Sequence, residues 1–152
     1  MNYPVLQSKR CTITIATRTD AQWLHKLFND EMVMRYNEGL HRFAESVEKT
    51  TDFIDCMLDA FNNGRGFLWK LSHQEVPIGF ICTIDFEETP SISYGLNKSY
   101  RNNGFMTEGL TSVLGYQNQM AKKSYTIYIN KDNLASQRLC NKMTSKFNIV
   151  QP

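Results

Sequence analysis

The sequence predicts an α/β (α+β) domain: a mixed, mostly antiparallel sheet with one parallel strand pair at its centre, flanked by helices. Residues 91–130 carry the first observation. They read as strand, glycine-containing turn, amphipathic helix and strand, and such a unit joins parallel strands through a right-handed crossover. Residues 66–86 carry the second, two apolar strands about the polar turn His73-Gln74-Glu75-Val76-Pro77, hence an antiparallel hairpin. The third is length, since 152 residues suit one domain, 1–152, with a real core.

Taken in order, Cys11–Thr17 alternates and is β-branched, a first strand. Thr19-Asp20-Ala21-Gln22 has the capping-box pattern and opens a helix with Trp23, Leu24, Leu27 and Phe28 on its apolar side. Asn29-Asp30 interrupts it, and Glu31–Tyr36 forms a short second helix before a polar loop, Asn37–Arg42. A long helix from about Glu45 to Phe61 places Val47, Thr50, Ile54, Met57, Leu58 and Phe61 on one face, and Asn62-Asn63-Gly64 ends it. The hairpin strands are Gly66–Ser72 and Ile78–Phe86, and Glu87–Pro90 turns into the central strand Ser91–Leu96. There Ile92, Tyr94 and Leu96 share one face. From Phe105 the apolar residues recur at helical spacing through Met106, Leu110, Val113, Leu114 and Met120. After a break at Lys122-Lys123-Ser124 come a strand, Tyr125–Asn130, a turn, a helix, Asn133–Lys142, and a last short strand, Phe147–Val150.

Composition narrows the function. The net charge of +2, with scattered cations, argues against nucleic acid. No run approaches the roughly 18 apolar residues of a membrane span, and the N-terminus lacks a signal-peptide core. Cys11, Cys56, Cys82 and Cys140 lie far apart, as reduced thiols of a cytoplasmic protein would. His25, His41 and His73 have no ligand spacing, so no metal is expected. Ligands of such a sheet lie at the C-terminal ends of the parallel pair, here Leu96–Thr107 and Asn130–Arg138. In the first stretch Gly104 permits unusual dihedrals and the helix start offers unpaired N–H groups, a site suited to a phosphate or pyrophosphate.

These residues resemble a family. Ile78-Gly79-Phe80-Ile81, Ile92-Ser93-Tyr94-Gly95-Leu96, Tyr100-Arg101-Asn102-Asn103-Gly104-Phe105-Met106-Thr107-Glu108-Gly109-Leu110 and Asn133-Leu134-Ala135-Ser136-Gln137-Arg138 stand in the order found in GNAT-superfamily N-acetyltransferases. They are most similar to the ribosomal-protein alanine N-acetyltransferase branch. Asn29-Asp30-Glu31-Met32-Val33-Met34-Arg35-Tyr36 resembles that branch's upstream motif, so the resemblance covers about residues 10–143.

The resemblance implies acetyl-coenzyme A as co-substrate and direct transfer of its acetyl group to a primary amine, on a protein N-terminus or a small molecule. It implies a central strand splayed from its parallel neighbour, with the pantetheine arm in the gap against Tyr94, Gly95 and Leu96. The turn Arg101, Asn102, Asn103, Gly104, Phe105 and Met106 would cradle the pyrophosphate, with Thr107 adding a hydroxyl. Arg138 and Lys142 would face the nucleotide phosphates, and Asn133 would hold the pantetheine end. Ser136 is the candidate acid for the leaving thiolate, and Asp85 and Glu87 are the candidate bases. Arg35, Tyr36 and His41 would shape the acceptor pocket. The same motifs also fit a non-catalytic acetyl-coenzyme A-binding module or a decayed homologue, which turnover with an amine separates from the enzyme.

Three departures stand out. Met106 replaces the branch's small residue, and Asn103 replaces a lysine or glycine. The segment after Lys142 lacks a glycine and is too short for the usual final hairpin, and no Asp or Glu follows Asp132. A second subunit covering that open edge, a homodimer, is the corresponding expectation.

Overall fold

The computed structural model describes residues 2–85, 89–121 and 124–152. Period-two burial builds its sheet: in β2 (Thr12–Ile15) the two isoleucines are buried and the two threonines half-buried. With β1 (Val5–Gln7), β3 (Gly66–His73), β4 (Val76–Ile84), β5 (Ser91–Leu96), β6 (Tyr125–Ile127) and β7 (Ile149–Val150), it forms one seven-stranded sheet in sequence order. The first five strands pair antiparallel. The last two steps, β5 to β6 and β6 to β7, are parallel, and each is crossed by a helix, α4 (Phe105–Met120) and α5 (Leu134–Thr144).

β4 is buried on both faces from Ile78 to Thr83 because helices cover both. On one side Ile13, Trp69, Leu71 and Ile81 meet Leu110, Val113 and Leu114 of α4. On the other, Leu68 and Phe80 meet α1 (Ala21–Phe28) and α3 (Val47–Asn62) through Leu24, Phe28, Phe53, Ile54 and Met57. Between these helices lies the six-residue α2 (Glu31–Tyr36). The mixed sheet flanked by helices is thus the expected fold class.

The differences are local. The capping box lies two residues early and caps a 3-10 turn, Arg18–Asp20, that leads into α1, with Asp20 Oδ2 accepting the Thr17 N–H at 2.9 Å. Glu38–Phe43 is 3-10 helix where a polar loop was expected. β1, three residues long, was not expected. β6 ends at Ile127 rather than Asn130, because its neighbour β5 diverges from it there. Phe86 and Glu87, the expected strand end and candidate base, lie outside the described residues.

Candidate functional site

The divergence of β5 from β6 makes a cleft. The two strands pair only at Ser91–Thr126 and Ile92–Ile127, while β5 continues to Leu96. The Asn97 N–H bonds the Ile78 carbonyl of β4 at 2.7 Å. Antiparallel alternation then turns the N–H and C=O of Leu96 and Tyr94 away from β4, into the gap. Both carbonyls are met from that side, Leu96 O by Arg101 Nε at 3.0 Å and Tyr94 O by Asn37 Nδ2 at 3.4 Å. The cleft encloses about 470 Å³ between β5, β6, α2 and the N-terminal ends of α4 and α5.

The turn Arg101–Gly104 forms one end. Asn102 and Gly104 both have left-handed backbones, at φ +65° and +82°, and Gly104 caps α4. Arg10, which the sequence reading did not single out, braces this turn. Its Nη2 donates to the Asn103 carbonyl at 2.7 Å, its Nε to Glu108 at 2.5 Å, and its guanidinium lies 4.0 Å over the Phe105 ring. Burial pushes the Glu108 carboxyl up, but hydrogen bonds from Ser8 and Arg10 outweigh it and hold the group below its ordinary range. Asn103 Nδ2 bonds back to the Arg101 carbonyl. Phe105 and Met106 are buried in the core, so the bulk of Met106 is absorbed there, and Thr107 lines the cleft.

The wall opposite β5 is α5. Asn133 caps it, its Oδ1 accepting the Ser136 N–H at 3.2 Å. Across the gap, the Tyr94 hydroxyl donates to Ser136 Oγ at 2.5 Å. Burial pushes the Tyr94 phenol up to about 12, against the Ser136 hydrogen bond and with a smaller push from Cys140. Arg138 and Lys142 line the same wall, exposed. Gly104, Thr107 and Lys142 also border a shallower groove that runs outward past Lys9 and Lys146.

On the α2 side, Met32, Val33, Tyr36 and Asn37 of α2 and its C-terminal cap line the cleft. Arg35 is exposed, pairs with Asp132 of the β6–α5 turn and lies 5.4 Å over the Tyr36 ring. His41 Nε2 meets the Met34 carbonyl at 2.5 Å and does not line the cleft. Asp85 follows the end of β4 away from the phosphate-type turn, where its N–H bonds the Arg65 carbonyl at 2.7 Å. Among the described residues, no carboxylate lines the cleft.

The structure therefore brings Tyr94, Gly95, Leu96, Arg101, Asn102, residues 104–107, Asn133, Ser136, Arg138 and Tyr36 to one cavity, and leaves Arg35, His41, Asp85 and Asn103 outside its lining. Arg10 and Asn37 were unreadable from spacing alone, being single polar residues whose partners are distant in sequence.

A profile of the acetyltransferase (GNAT) domain matches residues 10–144. An uncharacterised N-acetyltransferase of Bacillus subtilis (strain 168), YoaA, is 26% identical over 147 residues, covering 93% of this chain and 82% of that protein. Among solved structures, the apo ribosomal L7/L12 α-N-protein acetyltransferase RimL superposes with a TM-score of 0.78 at 16% identity, over 93% of this chain and 80% of that one. Its coenzyme A complex gives 0.75 at 16%, over 91% and 82%. The microcin C7 self-immunity acetyltransferase MccE, bound to acetyl-coenzyme A and AMP, gives 0.71 at 14%, over 88% and 77%.

Proposed function

This chain belongs to the acetyltransferase (GNAT) domain family, and from that premise we propose that the amine it acetylates is an α-amino group, entering the cleft already neutral. The chain is an N-acetyltransferase that moves an acetyl group from acetyl-coenzyme A to an amine. The identity of that amine is the open part, and the single observation that carries the reading is the charge of the cleft.

Arg101, Arg138 and Lys142 line it, and among the described residues no carboxylate does. Asp30 pairs with Arg101 at 2.6 Å, which leaves Arg138 and Lys142 as the cations toward a ligand. A cleft of this charge suits phosphates and disfavours an ammonium ion, and none of its described side chains is a strong base. At pH 7.5 an α-amine with a pKa of about 7.8 is roughly one-third neutral, whereas a lysine amine with a pKa of about 10.4 is neutral in roughly one molecule per thousand. The α-amine therefore needs no base among the described residues. The RimL structures that share the fold are named for α-N-acetylation of a protein.

The chain's own groups fit the donor. The N–H groups of Tyr94 and Leu96 face the gap, where they meet a carbonyl and the negative charge that grows on its oxygen. The 102–106 turn at the start of α4 supplies N–H groups and the positive end of a helix dipole to a pyrophosphate. The thioester supplies an activated acyl group. As the N–C bond forms and the C–S bond breaks, Ser136 Oγ hands its proton to the departing sulfur, backed by the Tyr94 hydroxyl. The proton lost from nitrogen returns through water to the Ser136 oxygen, so the serine is restored and an amide and a free thiol leave. Holding the two reactants together contributes much of the acceleration.

The test compares a peptide with a free N-terminus against one whose only amine is a lysine side chain, each across a pH series. The expected result is preference for the free N-terminus and a single rise of kcat/KM whose midpoint follows the acceptor's own pKa. Preference for the lysine, or a midpoint that stays fixed when the acceptor changes, removes the reading.

A further inference from the structure

Arg101 opens the phosphate-type turn, yet its guanidinium is committed inside the protein. Nε donates to the Leu96 carbonyl at 3.0 Å, and Nη2 to Asp30 Oδ1 at 2.6 Å. The same carboxylate oxygen accepts the Met32 and Val33 N–H groups at 3.0 and 3.2 Å, capping α2. Burial pushes the Asp30 carboxyl up, but the Arg101 hydrogen bond and the two backbone donors outweigh it and hold the group below its ordinary range. One side chain thus joins the end of β5, the start of α2 and the turn.

α2 needs anchors from outside itself. Six residues are too few for a helix to hold itself in water. Val33 sits over Gly95, where an added Cβ would lie 3.1 Å from its Cγ2. Asn37 Nδ2 reaches the Val33 and Tyr94 carbonyls at 2.9 and 3.4 Å. Of the two ion pairs that reach α2, Arg35–Asp132 is exposed, at 57% and 51%, whereas Arg101–Asp30 is shielded, with side chains 27% and 20% exposed. Such a pair holds more firmly than an exposed one.

We propose that Arg101 is a positioning residue that clamps α2 onto β5, by holding Asp30 and the Leu96 carbonyl with one planar fork. The clamp sets the wall formed by Met32, Val33, Tyr36 and Asn37 against the cleft-facing edge of β5, and it orients the Leu96 peptide from its carbonyl side. It rests on the acetyltransferase reading for what that wall does. The turn binds a pyrophosphate through backbone N–H groups, so losing the Arg101 side chain acts on the acceptor and on turnover more than on the donor. Lysine does not replace it, because an ammonium lacks the fork geometry.

The experiment uses the full chain with Arg101→Gln, Arg101→Lys and Asp30→Asn. Asparagine caps a helix about as well as aspartate, so Asp30→Asn keeps α2 capped while removing the charged pair. All three are expected to raise the acceptor KM about tenfold and to lower kcat, the scale of a lost charge-assisted hydrogen bond. Acetyl-coenzyme A affinity by calorimetry should stay within about twofold of the parent, since its backbone contacts are untouched. Arg101→Gln combined with Asp30→Asn should be no worse than Arg101→Gln alone, because the pair acts as one unit. Amide hydrogen exchange over residues 31–37 should accelerate in each variant, a readout that needs neither substrate. Loss of acetyl-coenzyme A affinity with an unchanged acceptor KM would make Arg101 a phosphate ligand and overturn the clamp, as would unchanged exchange over α2. A parent protein that binds no acetyl-coenzyme A would instead sink the acetyltransferase reading, while the exchange data still decide the clamp.

Discussion

Tyr94 and Ser136 are the residues whose chemistry is most exposed to test. Their hydroxyls lie 2.5 Å apart across the cleft, and a phenol pushed up to about 12 stays protonated at any neutral pH. It is therefore a permanent donor to Ser136, leaving the serine proton free to face a leaving group. Ser136→Ala is expected to lower kcat about a hundredfold or more, in the range of a lost proton donor, with acetyl-coenzyme A affinity little changed. Tyr94→Phe keeps the ring and removes only the backing hydroxyl, so its loss of kcat should be smaller and constant across neutral pH. Steady-state rates with matched calorimetry check both, and equal kcat in Ser136→Ala and the parent would remove the serine from the chemistry. Ser136 was singled out through the family resemblance of Asn133–Arg138, and it lines the cleft. The role of the Tyr94 side chain was not legible: alternation along β5 gives its face of the sheet, but its partner lies 42 residues away.

At the scale of the element, the turn before α4 is built rather than merely permitted. Gly104 at φ +82° takes a conformation that costs most other residues about 1–2 kcal/mol, and more for a β-branched one. Gly104→Val is accordingly expected to weaken acetyl-coenzyme A binding at least about tenfold while the sheet still folds, as far-ultraviolet circular dichroism with calorimetry would show. The glycine was readable as a phosphate-type turn from its place between a strand and a helix. Its brace was not, because Arg10 reaches it from a strand-flanking loop 93 residues earlier. Arg10 touches the Asn103 carbonyl, Glu108 and the Phe105 ring at once. Arg10→Lys, which keeps the charge but loses the fork, should weaken acetyl-coenzyme A binding by about threefold, less than Gly104→Val. An affinity equal to the parent's would mean the turn holds its shape unaided.

Across the whole molecule, what the sequence made legible was what repeats along the chain. The alternation of Ser91–Leu96, the helical spacing from Phe105 and the hairpin about residues 73–77 fixed a mixed sheet with a parallel step. Contacts between distant elements were not legible: the three-residue β1 and the seat of α2, while the splay of β5 from β6 came from the family resemblance and not from spacing. The same distinction bears on acid stability, where local and distant partners share each carboxylate. Asp20 is 6% exposed and accepts from Lys70 at 2.9 Å, Trp23 at 3.0 Å and the Thr17 N–H at 2.9 Å. Burial pushes its carboxyl up, and these partners together carry it below the ordinary value. Asp30 and Glu108 are lowered in the same way. A carboxyl lowered on folding binds fewer protons in the folded state than in the unfolded one. Its contribution is therefore present above the unfolded pKa of about 4 and is lost as pH falls through the folded value. Stability by urea titration should be flat through neutral pH and fall steeply below about pH 4.5. Asp20→Asn should cost about 2 kcal/mol at neutral pH and progressively less on acidification, because the parent then loses the same charge. If Asp20→Asn instead lowered the curve by an equal amount at every pH, its role would be packing rather than charge, and the acid limit of this fold would lie with Asp30 and Glu108.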